Sequence, residues 1–322
     1  MPAKPLDEAE FTDRLRASFP GREVAPIAAL TGGASSLTFS TTLDGTEGIV
    51  VKVSPPGLDP VRNRDMLRQA RAQKALAGTA VPVPAVLAED GGDPPDIPPY
   101  FAMAMVPGEC IELNFLPPDS PRSPEVVRGR QLDTARLMGE LHKIDPVAIG
   151  LGDEPETSLA EEVQRWKNSL DVCDEDLKAG TDDVYERLLA TVPPAEASSL
   201  LHGDFRTGNV LAEDDHVTAV IDWEIWSRAD ARIDLAWFLV FVEDERRPSP
   251  PGTPSVEELL DTYVAARGAP VTDLDWFRAL VRYKQTATGA FITRNARRRG
   301  APVELVDNSQ SWLLSSARQL LG

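Results

Sequence analysis

The chain has 322 residues, 42% of them apolar, and a formal net charge of −18. That length suits one large domain or two closely packed lobes, and the composition supports a full hydrophobic core. The charge argues against a nucleic-acid partner, which needs basic patches, and against an anionic membrane surface. It would attract a cationic small molecule, although an acidic surface also serves solubility.

Cys110 and Cys173 form no CxxC pair and no zinc-like spacing with His142, His202 and His216, which fits a reducing compartment. The N-terminus turns acidic after Lys4-Pro5 and lacks the apolar stretch of a secretory signal. The densest apolar run, Leu235 to Val242, is too short to span a bilayer. A cytoplasmic protein with no membrane partner is expected.

In chain order, Asp7 with Glu10 predicts a capping box, followed by a helix with Ala9, Phe11, Leu15 and Phe19 inward and ending at Pro20-Gly21. Three strands follow: Ala25 to Leu30, Leu37 to Leu43 with the hairpin signal Asp44-Gly45, and Gly48 to Val53. Pro60 to Leu76 reads as a helix with Leu67, Ala70, Ala75 and Leu76 facing inward, and Ala85 to Ala88 and Tyr100 to Val106 as further strands. Beyond Pro107-Gly108 the pattern changes. A proline-rich coil covers Leu116 to Pro124. Helices are then predicted at Val126–Lys143, Leu159–Val172, Val184–Ala190, Leu235–Val242, Val256–Ala266, Leu274–Arg298 and Val303–Leu320. Strands at Val210 to Ala212 and Val217 to Ile221 interrupt them. The expected fold class is α+β and bilobal: a small antiparallel sheet lobe over residues 1–106, a hinge near Ala104 to Gly108, and a larger helical lobe over 107–322.

The informative segment is Leu200-Leu201-His202-Gly203-Asp204-Phe205-Arg206-Thr207-Gly208-Asn209-Val210-Leu211. An apolar strand enters a polar loop and another leaves it. Val217 to Ile221 then delivers Asp222 from a strand end. A lone Asp-Gly is usually a turn, and a lone histidine is usually structural. Together, Asp204, Asn209 and Asp222 suit phosphoryl transfer. One carboxylate accepts the proton of an attacking hydroxyl, and separate hard oxygen donors hold magnesium against nucleotide phosphates. His202 is expected to orient the loop rather than to titrate.

His-Gly-Asp followed by Asn209, and then Ile221-Asp222-Trp223-Glu224, resembles the aminoglycoside phosphotransferase family, also called the phosphotransferase enzyme family, whose fold is protein-kinase-like. The resemblance implies Asp204 as catalytic base, Asn209 and Asp222 as Mg2+ ligands, and Asp234, in Asp234-Leu235-Ala236, as a tether of the catalytic loop. Leu30-Thr31-Gly32-Gly33-Ala34-Ser35-Ser36 is similar to the family's nucleotide loop, in which Gly32, Gly33, Ser35 and Ser36 would meet the phosphates of ATP. Lys52, in the apolar strand Ile49 to Val53, would contact the α- and β-phosphates; a solvent-facing edge lysine is the bland alternative. In the family that lysine pairs with a helix glutamate. Here Gln69 falls at its place, so Gln69 or Asp65 is the expected partner. Phe101 to Gly108 resembles the hinge, where the carbonyl of Ala104 and the N–H of Val106 would read adenine.

Leu141-His142-Lys143-Ile144-Asp145-Pro146, Gly150-Leu151-Gly152 and Glu161 to Trp166 are similar to a subgroup that includes domains fused to acyl-CoA dehydrogenases. The implied activity is an ATP-dependent, magnesium-dependent kinase acting on the hydroxyl of a small molecule. The alternatives are a nucleotide-binding pseudokinase or scaffold, which Gln69 favours, and a true aminoglycoside or macrolide kinase. Acidic clusters at Asp153–Glu156, Glu161-Glu162, Asp171–Asp176 and Glu243–Glu245 would draw a polycation if they lined the cleft. Arg294, Arg297, Arg298 and Arg299, on the helix that carries Tyr283 and Lys284, would suit an anionic acceptor instead. A solvated surface is the plain reading of both.

Overall fold

A computed structural model describes residues 5–30, 36–117, 119–244, 246, 248–300 and 310–322. A five-stranded antiparallel sheet is formed by β1 (Ala28–Ala29), β2 (Leu37–Leu43), β3 (Glu47–Val53), β4 (Val86–Asp90) and β5 (Tyr100–Ala104), in the order β1-β2-β3-β5-β4. The β2–β3 hairpin turns on Asp44 and Gly45, at φ 52° and 71°, the left-handed backbone that an Asp-Gly turn favours. The predicted strand from Ala25 to Leu30 shrinks to two residues. Val24 makes only an isolated bridge to Leu43.

Strand alternation divides this sheet into two faces. Phe39, Leu43, Ile49, Val51 and Val53 pack with Phe11, Leu15 and Phe19 of the N-terminal segment, whose helix α1 is Glu8–Ala17. Asp7 caps α1 through the N–H groups of Ala9 and Glu10, and Ala9 is exposed rather than inward. The opposite face carries Lys52. There Val50, Phe101 and Met103 meet Met66 and Ala70 of α2 (Met66–Leu76). The expected helix from Pro60 is interrupted. Arg62, at φ 57°, starts a separate 3-10 turn, and Asp65 then caps α2 by accepting the Arg68 N–H at 3.0 Å. Leu67 and Ala75 are half-buried, and the inward face is completed by Gln69, Ala72 and Gln73.

Past β5 the chain runs against the helical half. Glu109 bridges Ala212, and a Cβ on Gly108 would lie 2.9 Å from the Ala212 nitrogen, so only glycine fits there. The helices are α3 (Pro124–His142), α4 (Leu159–Asp171), α5 (Asp182–Ala190), α6 (Arg232–Val240), α7 (Val256–Arg267), α8 (Leu274–Arg299) and α9 (Gln310–Leu321). The part of the last predicted helix before Gln310 lies outside the described residues. Two small antiparallel pairs sit among the helices: β6 (Ser199–Leu201) with β9 (Ser227–Ala229), and β7 (Val210–Glu213) with β8 (His216–Val220). β9 was not anticipated, because Ser-Arg-Ala shows no apolar alternation. The α+β, bilobal architecture is as expected, with one core around α8 and another between α3, α7 and the β7–β8 pair. Among the described residues no helix is long and apolar enough to cross a membrane.

α6 begins three residues earlier than its apolar run, because ion pairing carries polar residues into the core. Arg232 donates to Asp230 Oδ1 at 2.9 Å and Oδ2 at 2.7 Å, and its guanidinium lies 4.3 Å from the Phe277 ring centre. Both residues are buried. Burial pushes the Asp230 carboxyl up, but the Arg232 guanidinium and the Glu196 N–H outweigh this and hold it below its ordinary value. The lowered folded-state value makes Asp230's contribution complete at neutral pH and removes it as pH falls through that value. Asp230→Asn is therefore expected to lose about 3–5 kcal/mol of unfolding free energy at neutral pH. The variant should also show a shallower loss of stability on acidification than the parent, read by denaturant titration across acidic pH.

Candidate active site

The loop from His202 to Asn209 leaves β6 and enters β7. Gly203 sits at φ 87°, and a Cβ there would stand 2.5 Å from the Ile225 carbonyl. Asp234, fully buried on α6, accepts the N–H of His202 at 2.7 Å and that of Gly203 at 3.0 Å. His202 is buried too. Its Nδ1 accepts the Asp204 N–H at 3.3 Å, so its proton sits on Nε2 and is donated to the Ile221 carbonyl at 2.8 Å. It links the loop to the strand that delivers Asp222. His142, at the end of α3, binds Tyr263 at 2.8 Å and lies 3.6 Å from Asp234, within the same buried network.

Asp204 is the partly exposed carboxylate of this loop, with 26% of its side chain accessible. Trp237 Nε1 donates to its Oδ1 at 2.7 Å, and Asn209 Nδ2 to its Oδ2 at 2.8 Å. Arg206 Nε is shared between both oxygens at 3.1 Å. The β7–β8 ladder brings Asn209 beside the end of β8, where the Ile221 N–H donates to the Asn209 carbonyl at 3.0 Å. Asp222 follows in a left-handed conformation, φ 66° and ψ 54°.

From the sheet lobe, Lys52 Nζ reaches Asp222 Oδ1 at 2.8 Å. Burial pushes the Asp222 carboxyl up, while Lys52, His202 and Arg206 bring it below the ordinary carboxylate range. The expected partners of Lys52 are engaged elsewhere. Gln69 Nε2 donates to the Asn63 carbonyl at 3.2 Å, and Asp65 caps α2. Asn209 Oδ1 and Asp222 Oδ2 make no hydrogen bond among the described residues. An amide oxygen and a carboxylate oxygen form a hard donor set, which fits magnesium completed by water and phosphate oxygens.

Gly32, Gly33 and Ser35 lie outside the described residues. Ser36 is buried one residue before β2. Ala104 ends β5 with its N–H on the Ala85 carbonyl at 2.8 Å, and Val106 lies in the crossing to Gly108.

Several residues of this site escaped the sequence reading. Glu112 accepts Arg206 Nη1 at 3.1 Å, Thr207 Oγ1 at 2.7 Å and the Gly208 N–H at 3.1 Å, so the segment after the lobe crossing grips the loop from His202 to Asn209. Lys284 on α8 donates to the Gly203 carbonyl at 2.8 Å and lies 4.0 Å from the Trp237 ring centre. Burial lowers its pKa. Charged residues inside otherwise apolar runs, Ile111-Glu112-Leu113 and Tyr283-Lys284, were the available signal. A small hollow of about 20 Å³ under the loop is lined by Glu162, Arg165, Trp166, Gly203, Ser227 and Lys284. A larger one at Thr191 and Asp273–Trp276 shares no residue with the site.

The acidic clusters are largely matched by the chain's own cations. Asp153 pairs with Arg71, Glu154 with Arg68, Asp171 with Lys167, Asp174 and Asp176 with Arg297, and Glu243 with Arg278 and Arg282.

With this geometry in view, comparisons with known proteins are specific. The chain is 25% identical over 300 residues to acyl-CoA dehydrogenase family member 10 of Mus musculus, covering 84% of this chain and 28% of that protein. It therefore spans less than a third of that relative's length. A crystal structure of a provisionally assigned aminoglycoside phosphotransferase from Ralstonia eutropha superposes with a TM-score of 0.83 at 20% identity, covering 98% of each chain. A thermostable mutant of the aminoglycoside phosphotransferase APH(4)-Ia, in ternary complex with ADP and hygromycin B, superposes at 0.62 with 18% identity, over 96% of this chain and 97% of that one. These two likenesses show the protein-kinase-like fold. The sequence model of the Phosphotransferase enzyme family matches residues 26–280, most of the chain, and this protein belongs to that family.

Proposed function

We propose that this protein transfers the γ-phosphoryl group of ATP to a hydroxyl of a small molecule, with Asp204 as base and Asn209 and Asp222 as the Mg2+ ligands. One observation carries the reading: a partly exposed carboxylate, oriented by three donors, is hydrogen-bonded to Asn209, whose carbonyl holds the strand end that presents a second carboxylate, and a lysine from the other lobe already reaches that one. Residues 1–106 would hold the nucleotide, with Ala104 and Val106 at adenine and Gly32, Gly33, Ser35 and Ser36 around the phosphates. Residues 107–322 would supply the base and the acceptor site.

Each residue then has a task. Trp237 and Asn209 fix the plane of the Asp204 carboxylate, which takes the proton of the attacking hydroxyl. The hydroxyl must displace one donor, and Arg206, split between both oxygens and also tied to Glu112, is the loosest. Lys52 moves from Asp222 onto phosphate oxygens when nucleotide and metal arrive, its ammonium exchanging one anionic partner for another. Bound magnesium would supply charge neutralisation on the phosphates. A nucleotide-binding module without turnover is the second reading, favoured by Gln69 standing where a glutamate is usual. ATP turnover against a panel of hydroxylated compounds separates the two.

The acceptor is expected to be a hydroxylated metabolite or natural product rather than a polycationic antibiotic. The carboxylates that would hold aminoglycoside ammonium groups are largely engaged by arginines and lysines of the chain, and the hollow under the loop carries two cations against one acid.

Asp204→Asn is expected to lower kcat by about 10²–10⁴-fold with ATP affinity nearly unchanged; full retention of kcat would remove Asp204 as base. Asp222→Ala is expected to weaken magnesium-dependent nucleotide binding more than Asn209→Ala, because it removes a full charge, and calorimetric magnesium titration ranks the two. Kanamycin is expected to show no saturable phosphorylation in a coupled ADP-release assay, and robust turnover would reassign the acidic clusters to the acceptor site.

A further inference from the structure

α2 does not hold Lys52. It reaches the catalytic half of the molecule through the neighbouring residue, Arg68. Arg68 Nη2 donates to the Trp226 carbonyl at 2.6 Å and pairs with Glu154. The guanidinium lies over the Trp226 ring, 4.1 Å from its centre, and Trp226 Nε1 returns a hydrogen bond to the Arg68 carbonyl at 3.0 Å. One residue of the sheet lobe is thus tied to one residue of the helical lobe by stacking and by hydrogen bonds in both directions.

Trp226 closes the short turn that begins at Asp222. The intervening Trp223–Ile225 form a 3-10 turn, in which Trp223 is fully buried with its Nε1 on the Val220 carbonyl at 3.1 Å. Neither end of the turn is loose, so the place of Trp226 governs how Asp222 leaves β8. That matters because Asp222 holds a left-handed backbone, which a residue with a Cβ keeps only under constraint. Glu154, the other anchor, is itself braced: Arg228 Nη1 donates to the Gly152 and Glu154 carbonyls at 2.7 and 2.8 Å.

We infer that Arg68 is a positioning residue for the Asp222 carboxylate, the clamp through which α2 fixes the segment 222–226 in place of a glutamate on Lys52. The inference rests on the reading of Asp222 as a magnesium ligand. Arg71, one turn along the same helix, provides the control. It pairs with Asp153 and donates to the Gly150 carbonyl at 2.9 Å.

The test is calorimetric titration of ADP into the full chain, with and without magnesium, for the parent, Arg68→Met, Arg68→Lys and Arg71→Met. Arg68→Met is expected to weaken magnesium–ADP binding by about 10-fold, as removal of a group behind a metal ligand does, and to leave metal-free ADP binding unchanged. Arg68→Lys, which keeps the charge on Glu154 but loses the planar stack, is expected to fall between, and Arg71→Met to match the parent. Equal losses with and without magnesium would overturn the inference, as would parental magnesium–ADP affinity in a variant with only a lower Tm. Should Arg68→Met fail to fold, Arg68→Lys is judged by the same two outcomes. A parent protein whose ADP affinity gains nothing from magnesium would overturn the functional reading, and this inference with it.

Discussion

Asp234 is fully buried and accepts the N–H groups of His202 and Gly203 with its two oxygens. Burial pushes its carboxyl up, and the neighbouring His142 and His202 imidazoles and the Lys284 ammonium reverse the direction. A carboxylate taken out of water is tolerated only when its lone pairs are filled by well-placed donors. The loop's backbone supplies those donors, so the loop and the carboxylate constrain each other. α6 carries Asp234, α3 carries His142 and α7 carries Tyr263, and all three converge on the same turn. The left-handed Gly203, its close approach to Ile225 and the presentation of Asp204 all follow from that convergence.

The seam between the lobes is made of contacts with different characters. Lys52 and Asp222 meet as a partly buried ion pair, strong in a low dielectric and exchangeable for another anion. Arg68 and Trp226 meet by stacking and by bonds to main-chain groups, which an arriving anion does not replace. Glu112 ties the loop directly to the segment that leaves the hinge. The site therefore combines an exchangeable centre with fixed surroundings.

Much of this was legible in the sequence. Asp204, Asn209, Asp222 and Asp234 sit in short local patterns, strand then polar loop then strand, whose spacing reflects the turn itself. The sheet strands announced themselves by alternation and by the Asp44-Gly45 turn. Arg62 was not anticipated, because a left-handed residue ahead of a helix is set by packing rather than propensity. Glu112 and Lys284 were not legible as site residues, because their partners lie 94 and 81 positions away in the chain. The same distance rule hid Arg68, whose bond to Trp226 spans 158 positions. Gln69 was read as a residue that orients Lys52. Its side chain instead turns into its own helix start, leaving that orientation to a neighbour one position away.

Trp237 places an indole between the charges that matter. A carboxylate stands at its N–H edge and an ammonium over its face. Indole emission responds to the charges that surround the ring, so this residue is a built-in optical probe of the loop from His202 to Asn209. The chain has six tryptophans, and Trp223 and Trp226 belong to the turn that follows Asp222. Changes in the charge or hydrogen bonding of Asp204 would therefore be readable in the protein's intrinsic fluorescence without any attached label.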